Sequence, residues 1–170
     1  MFDFINLLLN VKYKWWYEND PIDENGPFYY KNDVVPNLEY IKENGINCAG
    51  FINLVARHLK TELPILNGGT DGWFDKMRSE DKLSVTNINN AYPRGTLLLR
   101  GYTDVDNQGH VAIKWDDKPL KDSQIVHAYS KNCMNRELNE PGVSIEDFNI
   151  SNNWYDNGTY THVATHWFLK

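Results

Sequence analysis

Asn47-Cys48-Ala49-Gly50-Phe51 is the stretch that decides how this chain is read: a cysteine at what the pattern makes the first turn of a helix. Just before it, Ile41-Lys42-Glu43-Asn44-Gly45 closes one helical pattern with a glycine stop, and Asn47 is a residue type that caps the next helix. After it, Phe51, Ile52, Leu54, Val55, Leu59 and Leu63 recur at three-to-four spacing until Pro64 forbids continuation. That predicts a buried amphipathic helix of about four turns. At its start, the unpaired backbone N–H groups and the positive end of the dipole favour thiolate over thiol. The same N–H groups can hold the oxyanion formed when a thiolate attacks a carbonyl, and Ala49 and Gly50 leave room for a substrate. A cysteine is also a common small hydrophobe of protein cores, so the thiol alone does not separate nucleophile from packing. A partner base is needed.

Working outward, residues 36–44 form the helix that Gly45 stops, with Pro36 near its start, and residues 2–9 form a short helix with Phe2, Ile5, Leu8 and Leu9 inward. Between them, Lys12-Tyr13-Lys14-Trp15-Trp16-Tyr17 is dense in aromatics that either line a groove or pack a core, and Asn19 to Pro27 is a polar loop. Downstream, Asn67-Gly68-Gly69-Thr70-Asp71-Gly72 reads as a turn, because it lacks the Lys-Ser/Thr of a phosphate-binding loop; Asp71 is placed to cap a helix carrying Trp73, Phe74 and Met77. From Thr96 the texture changes to strands at 96–100, 110–115, 124–129 and 159–168, separated by turns at 104–109 and 116–119. Helices early and antiparallel strands late predict an α+β fold with helices packed on one side of a sheet. At 170 residues and 41% hydrophobic content, a single domain, 1–170, is expected.

The net charge of −6, with no cluster of Lys and Arg to neutralise phosphates, argues against a nucleic-acid binder. No apolar run approaches the roughly 20 residues that span a bilayer. The first ten residues lack a basic start and a small-residue cleavage site, so no signal peptide is expected. The protein is expected to be cytoplasmic, or delivered by lysis, injection or a virion. Cys48 and Cys133 are both expected to be free thiols, since a bridge would consume the candidate nucleophile.

His110 opens a strand directly after Gly109, and His127 stands near the end of the next, seventeen residues on. Antiparallel pairing through a turn at 116–121 would bring the two histidines to one end of a hairpin. Cysteine-dependent acyl transfer needs a thiolate, an imidazole to deprotonate it and later protonate the leaving amine, and a polar group to hold the imidazole's other nitrogen. Cys48, His110 and His127 fill these roles in order. Packing alternatives stand beside each: a plain strand histidine at 110, and a satisfied polar core residue at 127.

These pieces resemble the NlpC family of papain-fold cysteine peptidases and amidases. The resemblance rests on Asn47-Cys48-Ala49-Gly50-Phe51, Pro93-Arg94-Gly95-Thr96-Leu97-Leu98, Gly109-His110-Val111-Ala112-Ile113 and Ile125-Val126-His127-Ala128, in order over roughly residues 45–130. Tyr13 and Trp15 resemble the Tyr-x-Trp element that the family places before its cysteine, where the tyrosine hydroxyl can contact the thiol; Tyr30 is a rival for that role. The chain departs from the family in having Asn-Cys-Ala-Gly for Asp-Cys-Ser-Gly, and in an insertion between Tyr17 and Asn44. The resemblance implies a papain-like fold and a Cys48/His110/His127 hydrolase without a cofactor. It also implies substrates that are short peptides with γ-linked glutamate and a diamino acid, as in bacterial cell walls, with Tyr13, Trp15 and Tyr30 near the substrate.

Other candidates carry less. Cys133 has no visible helix or base, and His58 falls on the solvent side of the Cys48 helix. His162 and His166 on one strand stand about 13 Å apart, too far to share a metal. Cys48, His110 and His127 with a water would suit a catalytic zinc, a minority reading. The acidic pairs Asp116-Asp117 and Glu146-Asp147 are expected in solvated turns. Two alternatives to the amidase remain: a lipid-ester hydrolase or acyltransferase using the same triad, and a silent binding or structural module.

Overall fold

The computed structural model describes residues 1–14, 37–60, 70–100, 109–130, 141–148 and 161–164, and the side chains of 70–74, 130, 141 and 161 lie outside that description. Helices and an antiparallel sheet make the chain α+β. The residues gather into two compact units, one from Met1–Asn67 with His127–Ser144, the other from Gly68–Val126 with Ile145–Lys170.

In the first unit, helix α1 (Phe2–Asn6) is shorter than the predicted 2–9. The chain turns at Leu7 to Asn10, where Asn10 takes a left-handed φ of 67°. Ile5 and Leu8 are nonetheless fully buried, as their spacing requires. Helix α2 (Leu38–Asn44) is capped by Asn37, whose side chain accepts from the Glu39 N–H, and ends at Gly45 with φ +94°. Only glycine suits that stop, because a Cβ there would lie 2.8 Å from the Lys12 carbonyl oxygen.

Helix α3 (Cys48–His58) starts where predicted and stops earlier. Leu59 still donates to Val55, but the Lys60 N–H closes a tighter turn onto Arg57, and Lys60 sits at a left-handed φ of 55°. Leu63 and Pro64, the predicted end, lie outside the described residues. The helix is also less one-sided than its apolar spacing suggests. Every residue from Cys48 to Ala56 is buried, with small Ala49 and Gly50 and polar Asn53 on the face away from Phe51 and Val55. Burying Phe51 contributes about 1.5–3 kcal/mol in transfer free energy. Helix α1 packs on α3, with the Phe4 and His58 rings stacked at 3.9 Å.

In the second unit, helix α4 (Thr70–Ser79) contains Asp71 within its first turn, so Asp71 does not cap it as predicted. Met77 is fully buried and α4 packs on β2. The strands are β1 (Ser84–Val85), β2 (Leu97–Arg100), β3 (His110–Lys114), β4 (Gln124–Ser130), β5 (Pro141–Asp147) and β6 (Thr161–Ala164), in spatial order β1-β6-β2-β3-β4-β5. The pairs β1/β6, β6/β2, β2/β3 and β3/β4 are antiparallel. Strands β1 and β5 were not legible as strands. β4 and β5 each run from one unit into the other.

Leu97, Leu98 and Leu99 are all fully buried, as are Val111, Ala112 and Ile113 on the paired strand, which explains their unbroken apolar runs. A cross-strand row, Val163–Leu98–Ala112, joins Leu120, Ile125 and Phe148 in a core with Ile88 and Tyr92 at its margin. The 116–119 turn is less solvated than predicted. The Asp116 carboxylate accepts from the N–H groups of Lys118 and Gln124 and from Lys114 Nζ, and Lys114 itself is fully buried with its Nζ also on the Asp116 carbonyl. Its neighbour Asp117 is exposed, but accepts from the Arg94 N–H, and the Arg94 guanidinium lies 5.0 Å over the Trp115 ring. Glu146 and Asp147 close β5 and do not form a turn.

Candidate active site

Cys48 is the first residue of α3, buried at 7% exposure and carrying a reduced thiol. The Asn47 side chain accepts the Gly50 N–H at 2.7 Å, and the first intrahelical bond runs from the Phe51 N–H to the Asn47 carbonyl. The cap therefore consumes one of the helix's orphan donors. The N–H groups of Cys48 and Ala49 precede the first intrahelical hydrogen bond.

Tyr13 is buried at 5% exposure and forms a parallel bridge with Ile46, two residues before Cys48. The bridge is closed by the Ile46 N–H donating to the Lys12 carbonyl at 2.9 Å and by the Lys14 N–H donating to the Ile46 carbonyl at 3.2 Å. It brings Tyr13 to the entry of the cysteine helix across the long insertion. Trp15 and Tyr30, the other predicted substrate neighbours, lie outside the described residues, as do Cys133 and His166.

His127 is in β4 and 3% exposed. Its ring stacks on Tyr129 at 5.2 Å and within 2° of parallel, an i, i+2 contact on one strand face that fixes the imidazole plane. Tyr129 is a neighbour that the sequence pattern showed only as a strand residue.

In the second unit, His110 opens β3 as predicted and is half-buried. Arg100 stands directly opposite it in the ladder. Paired residues project to the same face, so the imidazole shares its side of the sheet with a guanidinium. Strand alternation puts His110 on the face of Ala112 and Lys114. Lys114 pairs with Ile125. Arg100 was missed as a candidate, because its place opposite His110 is set by the register of the two strands.

His58 is exposed, on the solvent side as expected, and His162 pairs with Leu99 and Val85 in β6. Among the described residues no group of three His, Cys, Asp or Glu is arranged to hold a metal ion. Nor does any helix among them have the length and apolarity to cross a membrane. Compared with known proteins, the chain matches no protein-family model, no curated protein and no solved structure.

Proposed function

We propose that this protein is a cysteine hydrolase of amide bonds with a papain-like fold of the NlpC type, acting on short peptides of the γ-glutamyl-diamino acid class found in peptidoglycan. The observation that carries the reading is the start of α3: a thiol at the first position of an eleven-residue helix, with Asn47 ordering the first turn and Tyr13 bridged to the residue pair that leads into it.

The roles follow from the chemistry. The Cys48 thiolate attacks the carbonyl carbon, and the N–H groups of Cys48 and Ala49 take the oxyanion. Collapse of the tetrahedral intermediate breaks the C–N bond, and the His110 imidazolium gives its proton to the departing amine. Water, deprotonated by His110, then attacks the thioester, releases the acid and regenerates the thiol. His127, its plane held by Tyr129, orients the base. Arg100, opposite His110, supplies a cation suited to a substrate that bears a free carboxylate, as γ-linked glutamate does.

The test is incubation of the protein with soluble wall peptides and with fatty-acyl esters, followed by mass spectrometry. Release of an amine from the peptides, abolished in Cys48→Ala, supports the amidase. Turnover of the esters alone moves the same residues to lipid chemistry, and no turnover of either in a protein with an ordinary thiol leaves a binding module.

A further inference from the structure

The segment Asn10–Lys14 runs as a ribbon with a backbone partner on each side. On one side the Asn10 N–H donates to the Val143 carbonyl at 2.9 Å and the Val143 N–H donates to the Val11 carbonyl at 2.8 Å. On the other side lie the two bonds to Ile46. The tightest point is Gly142, in β5 with φ +91°. A Cβ there would stand 2.1 Å from the Val11 carbonyl oxygen and 3.1 Å from the Lys12 Cα, backbone atoms that cannot rotate out of the way.

We propose that Gly142 is a positioning residue for Cys48, acting through the Asn10–Lys14 ribbon. Its missing side chain lets β5 close on Val11. The ribbon so held sets the height of Ile46, and with it the lead-in to Cys48 and the backbone that carries Tyr13. The inference rests on Cys48 being the nucleophile. A β-carbon at 142 would stand 2.1 Å from the Val11 carbonyl oxygen, inside the 3.0 Å that a Cβ keeps, so it pushes the ribbon outward, and the displacement reaches the start of α3 through two hydrogen bonds rather than through a flexible loop. Misplacement of about 1 Å at a catalytic group costs up to 10²-fold in rate.

The experiment compares Cys48 alkylation by iodoacetamide against pH in the full-length wild-type chain, in Gly142→Ala and in Gly95→Ala. Gly95 has the same kind of backbone strain, φ +95°, in the second unit. The expected result for Gly142→Ala is a rate constant at pH 7 reduced about tenfold or more and a midpoint moved to higher pH, with Gly95→Ala following wild type. A folded Gly142→Ala whose profile superimposes on wild type overturns the inference while leaving the nucleophile reading intact. A wild-type thiol with an ordinary midpoint, indifferent to His110→Ala, overturns the nucleophile reading itself. If Gly142→Ala does not fold, amide exchange in the wild-type chain decides. The N–H groups of Asn10, Lys14, Ile46 and Val143 opening with one shared free energy supports the ribbon, and Val143 opening independently of Ile46 overturns it.

Discussion

Tyr13 and Ile46, far apart in sequence, are joined in a parallel bridge that sits two residues ahead of Cys48. Two short backbone bonds hold it, and both flanking carbonyls belong to segments with little regular structure of their own. The bridge ties Tyr13 to the lead-in of the cysteine helix, and it makes the Tyr13 hydroxyl a testable candidate for contact with the thiol.

Tyr13→Phe keeps the buried ring and removes the hydroxyl. If the hydroxyl supports the Cys48 thiolate, the substitution raises the alkylation midpoint by roughly one pH unit, the equivalent of one hydrogen bond to a charged group, with little loss of stability. An unchanged midpoint with unchanged stability would show that Tyr13 serves only as packing.

Asn47→Ala removes the side chain that accepts the Gly50 N–H. The expected loss is about 1 kcal/mol in urea unfolding, as for other lost caps. Asn47→Asp restores an acceptor and should recover that stability. Its negative charge beside Cys48 disfavours the thiolate, so the alkylation midpoint should rise.

Asn53 is fully buried in α3, and neither polar atom of its amide has a hydrogen-bond partner among the described residues. A buried polar group left unsatisfied costs about 1–3 kcal/mol. Asn53→Leu, with the same branched outline, is therefore expected to raise the urea midpoint with an unchanged m-value. A destabilised Asn53→Leu would mean that the amide's polarity matters to the folded state.

Asp116→Ala strips the counter-charge from fully buried Lys114 and the acceptor from two backbone N–H groups of the β3–β4 turn. The expected cost is roughly 3 kcal/mol, the low end for a broken buried pair because Asp116 is itself partly exposed. Burial pushes the Asp116 carboxyl up, but the bonds from Gln124, Lys118 and Lys114 outweigh it and hold the carboxyl below its ordinary value. Burial lowers Lys114, which Asp116 only partly offsets. A carboxyl held low in the folded state adds stability above its unfolded value, near pH 4, and that stability fades as pH falls through the folded value. The gap between wild type and Asp116→Ala should thus be full at pH 6 and shrink below about pH 4.

Local signals were legible and long-range ones were not. Gly45 acts through its own backbone and Asn47 through a side-chain bond three residues on, so the stop of α2 and the start of α3 fall where residue types place them. The end of α3 depends on Lys60 turning left-handed, which a lysine does not announce. Strand β1 is two exposed residues, a strand only because β6 pairs with it. Strand β5 opens with Pro141-Gly142, which reads as a turn until the bonds between Val143, Asn10 and Val11 are seen. In the same way, Cys48, His110 and His127 could be picked out by residue type and spacing. Arg100, Tyr129 and Gly142 gain their place from register, stacking and close approach.

The most direct test of the central claim is the rate of Cys48 alkylation against pH, followed by mass spectrometry in wild type and in His110→Ala. The account predicts a wild-type thiol midpoint well below the ordinary value of about 8.5, raised when His110 is removed. A Cys48 that is inert, or that titrates in the ordinary range with or without His110, would contradict the hydrolase mechanism.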